Sequence, residues 1–225
     1  DIRHKPGMPT GKGVMIGVID WGIDIDHPNF KWPDGRSRLK AIWGQRGVFP
    51  NSPAPFGYGK LMQKNKINRA LRTRSPYRSL GMHPGIADAR GIGAHGTHVT
   101  DIAAGSGNLG PAGVAPETDL AFVHLASNKS DPLQNLGDSV RILEAIDFLD
   151  RMAGSQPLVI NMSVGRHGGP HDGKTLVEMG IDAFLRSKKD RFIVQSTGNY
   201  FMSKTHASGK LSQGHKKDLN LWVNP

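Results

Sequence analysis

A nearly unbroken apolar run, Val14-Met15-Ile16-Gly17-Val18-Ile19, ends in the carboxylate Asp20 and the turn Trp21-Gly22. A half-exposed strand would alternate apolar and polar residues; a run like this one is buried on both faces. Strands covered on both sides belong to parallel sheets, whose crossovers lay helices over each face. The rest of the chain offers the partners. A strand is expected over Lys12–Ile19, and others over Leu120–Leu125, Leu158–Met162 and Phe192–Gln195. Helical spacing falls between them. One helix begins at His95 and runs to Ala104. The clearest spans Asp138–Ala153, capped by Asp138 or Ser139, with Ile142, Ile146, Leu149 and Met152 on one face. Gly154 and Pro157 stop it. Another covers Lys174–Arg186, with Leu176, Val177, Ile181, Phe184 and Leu185 inward. The alternation implies an α/β fold: a doubly wound, mostly parallel sheet with helices on both faces. Residues 33–93, rich in Pro, Gly and Arg, read as an inserted excursion with one short helix around Lys64–Arg72.

In such sheets functional groups collect at the carboxyl ends of the strands. Asp20, the segment Ser163-Val164-Gly165 and the segment Ser196-Thr197-Gly198-Asn199 all stand there, and His95 opens a helix. A histidine can act as a general base if a partner fixes its tautomer, and a buried carboxylate is such a partner. A side-chain amide can donate to a developing oxyanion. Each residue also has a plain structural role: Asp20 as a turn cap, His95 as a core histidine, Asn199 as a turn residue. His98, one helical turn beyond His95, is expected to be a core histidine. Metal binding by His95, His98 and Asp101 is argued against by spacing, since a zinc helix needs His at i and i+4 with an adjacent Glu. His167, His171 and Asp172 read as loop.

With 225 residues the chain can bury one substantial core. It contains no cysteine, which excludes disulfides, thiolate metal sites and a cysteine nucleophile. No run of about eighteen apolar residues occurs, so no membrane-spanning helix is expected. Asp1 opens into polar sequence without the pattern of a secretory leader, and secreted and cytoplasmic locations both stay open. Lys and Arg number 29 against 19 Asp and Glu, a formal net charge of +10. That excess is concentrated between Gly59 and Leu80, where Lys60, Lys64, Lys66, Arg69, Arg72, Arg74 and Arg78 occur without an acidic residue. The run reads either as a site for an acidic peptide, a nucleic acid or a phosphate-rich surface, or as an insertion that is solvated or pairs with an acidic part of the protein outside this sequence. Nucleic acid is disfavoured, because only Tyr58 and Tyr77 flank the run and no aromatic platform interleaves it.

Taken together, Val18-Ile19-Asp20-Trp21-Gly22-Ile23-Asp24, Ala94-His95-Gly96-Thr97-His98-Val99, Ile160-Asn161-Met162-Ser163 and Ser196-Thr197-Gly198-Asn199 resemble the subtilisin family of serine proteases. Gly11-Lys12-Gly13-Val14, Asp26-His27-Pro28-Asn29-Phe30 and Gly113-Val114-Ala115-Pro116 extend the likeness to residues 11–32 and 91–200. The resemblance implies peptide-bond hydrolysis by an Asp-His-Ser mechanism, with Asp20 orienting His95 and Asn199 as oxyanion donor. It implies that Ser163, Val164 and Gly165 pair with a peptide backbone, and that Ser196, Thr197 and Gly198 line the side-chain pocket. Calcium is the cofactor such proteins often bind, and Ser106–Gly110 lies where a site can fall; no cofactor is otherwise called for.

The chain departs from the family at Trp21, at Thr100-Asp101 and in the length of 33–93. It also lacks the nucleophile: no Gly-Thr-Ser followed by small residues and a proline occurs before Pro225. Residues 1–200 therefore read as the N-terminal part of a catalytic domain, and 201–225 as the start of a β-rich insertion, with Leu219–Val223 alternating like a strand. The resemblance is to larger bacterial subtilases with an insertion before the nucleophile. The expected partners are a peptide or protein substrate and a C-terminal segment, in cis or in trans, that brings the serine. The competing reading is a catalytically inactive, subtilase-like module that binds peptides or regulates a partner.

Overall fold

The computed structural model describes residues 7–83, 95–125, 139–165, 169–199 and 209–218. They contain six strands in one sheet: β1 (Met15–Asp20), β2 (Leu39–Gly44), β3 (Lys60–Gln63), β4 (Asp119–His124), β5 (Leu158–Met162) and β6 (Arg191–Gln195). The spatial order is β3-β2-β4-β1-β5-β6. β3 runs antiparallel to β2; every other pairing is parallel. β1, buried at all six positions, is central: Asp20 stands opposite His124 of β4, and Ile19 opposite Met162 of β5. The expected mixed α/β sheet is present.

Among the described residues five helices flank it: α1 (Lys64–Ala70), α2 (Pro76–Leu80), α3 (His95–Ala104), α4 (Ser139–Ala153) and α5 (Leu176–Ser187), with a 3-10 turn at Pro28–Phe30. Side chains alternate across a strand, so β1 feeds two cores. Met15 and Ile19 join Val123, Ile160 and Met162 beneath Ala145, Ile146, Phe148 and Leu149 of α4. Gly17 belongs to this face; a Cβ there would stand 2.8 Å from Leu149 Cδ1, so any larger residue would have to displace that buried side chain of α4. Ile16 and Val18 turn the other way, to Leu120, Phe122, Ile42, Phe30 and Ala104 of α3. Asp20 has the parity of Ile16 and Val18, which puts its carboxylate on the face that α3 covers.

Two features differ from the sequence expectations. The stretch 33–93 is not wholly an excursion. Its β2 lies inside the sheet against β4, with Leu39, Ala41, Ile42 and Trp43 fully buried, and its β3 extends the edge. The helix expected near Lys64–Arg72 is α1. In α5, none of whose residues is buried, Leu176 is 83% exposed rather than inward. The Thr175–Glu178 capping box sets the start of α5, with Thr175 N donating to Glu178 Oε2 at 2.9 Å. Leu176 is then the first helical residue, at the helix end and off the packed stripe. The strand expected over Leu219–Val223 lies outside the described residues, as do His167 and Asp138.

Two buried arginines staple the layers. Arg38, fully buried, donates to Asn29 O at 3.0 Å, to Thr118 O at 2.9 Å and to the last carbonyl of α3, Ala104 O. Burial lowers its pKa to about 10, and nearby Asp119 and Asp101 oppose the shift. Arg191 opens β6 and pairs with Asp150 of α4 at 2.6 Å, while donating to Gly154 O and Gln156 O. Replacing Arg38 with Met removes a charged donor and leaves buried carbonyls unsatisfied. Urea denaturation of Arg38→Met is expected to show a loss of about 3 kcal/mol, against less than about 0.5 kcal/mol for the exposed Arg36→Met.

Candidate active site

The site is built where β1 meets the first turn of α3. β1 carries Asp20 to the rim of the sheet and leaves it with no solvent exposure. The chain turns at Trp21-Gly22, with Gly22 at φ 72°, and α3 docks on that turn. Gly96 N donates to Trp21 O at 2.7 Å. A Cβ on residue 96 would meet Trp21 O at 2.6 Å and Phe122 Cζ at 2.7 Å, so only glycine lets the helix approach this closely. Thr97 Oγ1 donates to Gly22 O at 3.2 Å and accepts from Asp24 N at 2.9 Å. Thr100 Oγ1 bonds back to Gly96 O at 2.6 Å.

That docking sets the distance between the two ionisable groups. His95 Nδ1 donates to Asp20 Oδ1 at 2.6 Å. Trp21 N donates to the same oxygen, also at 2.6 Å. The imidazole side chain is half exposed while the carboxylate is fully buried. With Nδ1 committed to Asp20, the free lone pair sits on Nε2. A buried acid that fixes the tautomer of a solvent-facing imidazole is the arrangement of a general base. The Trp21 ring packs 6.2 Å from the His95 ring at 58° and shields one side of the pair.

The other candidate segments lie on the same rim, at the ends of β5 and β6. Ser163 is half-buried and accepts from Asn161 Nδ2 at 3.0 Å; Val164 is buried and Gly165 exposed. No backbone–backbone hydrogen bond engages Ser163, Val164 or Gly165 among the described residues. Ser196 N donates to Met162 O at 3.1 Å, which holds the next segment alongside. Ser196, Thr197, Gly198 and Asn199 are exposed. No hydrogen bond joins Asn199 to Asp20 or His95 among the described residues.

Several groups here were not singled out in the sequence. Gln195 Nε2 donates to Val164 O and to Ser196 O, tying the two rim segments together. His124, read only as a strand residue, is buried beside Asp20 and meets Phe122 edge-on at 6.1 Å. Tyr77, from α2, donates its hydroxyl to Asp24 Oδ1. Burial and the Asp24 carboxylate hold that phenol well above its ordinary pKa. These contacts join residues 53 or more positions apart in some cases, so no local pattern announces them. His98 is a correction: it is exposed, because Val99, Ala103 and Ala104 take the sheet-facing side of α3.

The loop Ser106–Gly110 does not fit calcium. The Asn108 amide donates to Pro28 O at 3.0 Å and Lys31 O at 3.3 Å, and Leu109 N donates to Asn29 Oδ1 at 2.7 Å. The loop offers no carboxylate, whereas calcium takes six to eight oxygens. His171, at φ 53°, and Asp172, which accepts from Lys174 N, stay loop residues.

Because the pair depends on Gly96, Gly96→Ala should push α3 off the turn. Proton NMR of the native protein is expected to show the far-downfield Nδ1 resonance of a short, charge-assisted hydrogen bond. It should vanish in Gly96→Ala and persist in Ile102→Ala, whose side chain is 65% exposed on the same helix.

Comparison with known proteins finds relatives of this chain. The model of the subtilase family matches residues 11–215. Subtilisin-like protease SBT2.2 of Arabidopsis thaliana is 30% identical over 205 residues, covering 84% of this chain and 23% of the relative. Subtilisin-like protease PopC of Myxococcus xanthus is 29% identical over 168 residues, covering 73% and 27%. The solved structure of the Clostridium perfringens CspB protease superposes with a TM-score of 0.67 at 29% identity, covering 83% of this chain and 36% of the other. The chain thus spans about a quarter of the length of these curated relatives. A family match over residues 11–215, together with the Asp20–His95 pair on a parallel-sheet rim, shows that the chain belongs to the subtilase family.

Proposed function

We propose that this chain supplies the acid, the base and one oxyanion donor of a serine endopeptidase whose nucleophile lies on polypeptide beyond residue 225. The observation that carries the reading is the 2.6 Å hydrogen bond from His95 Nδ1 to the fully buried Asp20. Nε2 of His95 takes the proton of the attacking serine hydroxyl and later delivers it to the leaving amine. Asp20 stabilises the imidazolium formed in between and stays ionised. Asn199 is assigned the first oxyanion donor, and the backbone N–H at the nucleophile the second.

Substrate enters by its main chain. Ser163, Val164 and Gly165 are assigned the edge along which an extended peptide adds a strand. No backbone–backbone hydrogen bond engages them among the described residues, Val164 O being held by the Gln195 side chain, and this supports the reading. Ser196, Thr197 and Gly198 line the side-chain pocket, and Gln195 positions Val164 O. Backbone pairing is tolerant of sequence, so protein substrates are read broadly.

The sheet itself supports a missing catalytic segment. Val159 and Asn161 of β5 share the α3-side face with Phe192 and Val194 of β6. Phe192 is 59% and Val194 55% exposed, on a strand with one neighbour among the described residues. Apolar residues on an open edge call for cover, and polypeptide laid there stands beside the helix that begins at His95.

The longer polypeptide is expected to hydrolyse peptide substrates and to react with a serine-directed phosphonate outside residues 1–225. Loss of the nucleophile costs about a million-fold in turnover in enzymes of this kind, so the 225-residue chain alone should be inert and unlabelled. In the longer form, Asp20→Asn should lower kcat about ten-thousand-fold, and Asn199→Leu about a hundred- to a thousand-fold with little change in KM. Stoichiometric labelling within 1–225 would refute this assignment. A longer form that binds peptide but neither cleaves nor labels would establish an inactive peptide-binding module instead.

A further inference from the structure

The basic run between Gly59 and Leu80 has no part in the peptidase chemistry, and the fold gives it a definite shape. α1 and α2 carry most of it and pack side by side. Lys60 is committed internally: its Nζ donates to Leu80 O at 2.6 Å and to Gly81 O at 3.2 Å. Lys66, Arg69, Arg72, Arg74 and Arg78 instead are exposed. None of them takes part in the ion pairs found among the described residues. All but one of these five are arginines, whose planar head suits carboxylates better than a lysine ammonium does.

Beside α2 lies an open groove of about 660 Å³, lined by Arg74, Pro76, Tyr77, Arg78, Met82 and His83. Pro76, Met82 and the Tyr77 ring give it apolar walls, and the two arginines give it positive charge. Such a mixture fits a polypeptide that carries carboxylates among apolar side chains. A nucleic acid would need a row of exposed rings; Tyr77 is half-buried and its hydroxyl is tied to Asp24.

The same tyrosine connects the groove to the site. Tyr77 bonds Asp24, and Asp24 N bonds Thr97 Oγ1 at 2.9 Å. Asp24 lies on the loop that leaves Asp20, and Thr97 in the first turn of the helix that begins at His95. From this we infer that the α1–α2 hairpin is an exosite that binds an acidic stretch of a protein substrate whose scissile region lies over His95. The inference rests on the peptidase reading for its substrate, and on the groove for its chemistry.

The test uses the longer polypeptide with His95→Ala, so that no ligand is consumed. Fluorescence anisotropy compares a labelled peptide of glutamates and leucines with its glutamine counterpart. The acidic peptide should bind, and its affinity should fall steadily between about 0.05 and 0.3 M salt. The triple variant Arg72→Gln, Arg74→Gln, Arg78→Gln should weaken it about tenfold at low salt and leave the glutamine peptide unchanged. In the active form, the triple variant should lower kcat/KM to a similar degree for a substrate with an acidic extension, and not for one without it. Equal binding of the two peptides, or an affinity unchanged by the triple variant, overturns the exosite. So does tighter binding of a single-stranded oligonucleotide or of phosphatidylserine vesicles that is lost in the triple variant. A protein that cleaves the plain substrate with no acidic preference overturns the exosite alone. One that holds the acidic peptide through these arginines but cleaves nothing overturns the peptidase reading and keeps the acidic-peptide site.

Discussion

The contact between Gly96 and the Trp21–Gly22 turn is the one on which the rest of the site depends. Gly96 N reaches Trp21 O at 2.7 Å, and the absence of a side chain at residue 96 sets how close α3 comes to β1. From that spacing follow the 2.6 Å bond between His95 and Asp20, the Thr97 bridge to Gly22 and Asp24, and the tilted contact of the Trp21 ring with the imidazole. A buried carboxylate is costly unless donors surround it. Asp20 Oδ1 receives two, one from the backbone of Trp21 and one from His95. The same arrangement that makes the burial of Asp20 tolerable also holds the imidazole in one tautomer, so stability and chemistry here share their hydrogen bonds.

The sheet determines which groups can meet. β1 lies between β4 and β5, and its carboxyl end is the switch point from which the chain runs outward on both sides. Segments distant in sequence therefore share one rim: Asp20, His124, Ser163–Gly165 and Ser196–Asn199. Rigidity comes from below that rim. Arg38 binds the end of α3 to the strand-bearing layers, and Arg191 binds β6 to the end of α4. Each buried guanidinium is surrounded by carbonyls or a carboxylate, which is the condition under which such a charge is tolerated in a core. The α1–α2 hairpin is attached to this frame through Tyr77 and Asp24. The hairpin is thereby tied to the loop that leaves Asp20.

Among the elements, the long and strongly periodic ones were legible in the sequence. β1, β4, β5 and β6 were each expected within a few residues, as were α3, α4 and α5. β2 was not. Leu39-Lys40-Ala41-Ile42-Trp43 is short, carries a lysine and is flanked by residues of loop character, so its composition points away from a buried strand. Lys40 is accommodated by Asp119 at 3.1 Å and Gln156 at 2.6 Å, and only the presence of β4 alongside makes the segment a strand. The same reasoning applies to His98 and Leu176: periodicity names an apolar face, but packing decides which residues of that face are covered.

Sequence alone determined the classes of chemistry on offer and the order in which they come. It excluded cysteine chemistry and a membrane-spanning helix, placed a carboxylate, an imidazole and an amide at the ends of elements, and marked a run of basic charge. These are one-dimensional properties, set by residue type and local period. Tertiary structure decided distance. It alone brought Asp20 within 2.6 Å of a residue 75 positions away, set Gln195 against Val164, and put Tyr77 on Asp24. It also turned Arg69, Arg72, Arg74 and Arg78 outward while folding Lys60 in. The physical reason is that hydrogen bonds, burial and packing act over a few ångströms. Which residues come that close depends on sheet order and on where a missing Cβ lets two backbones approach.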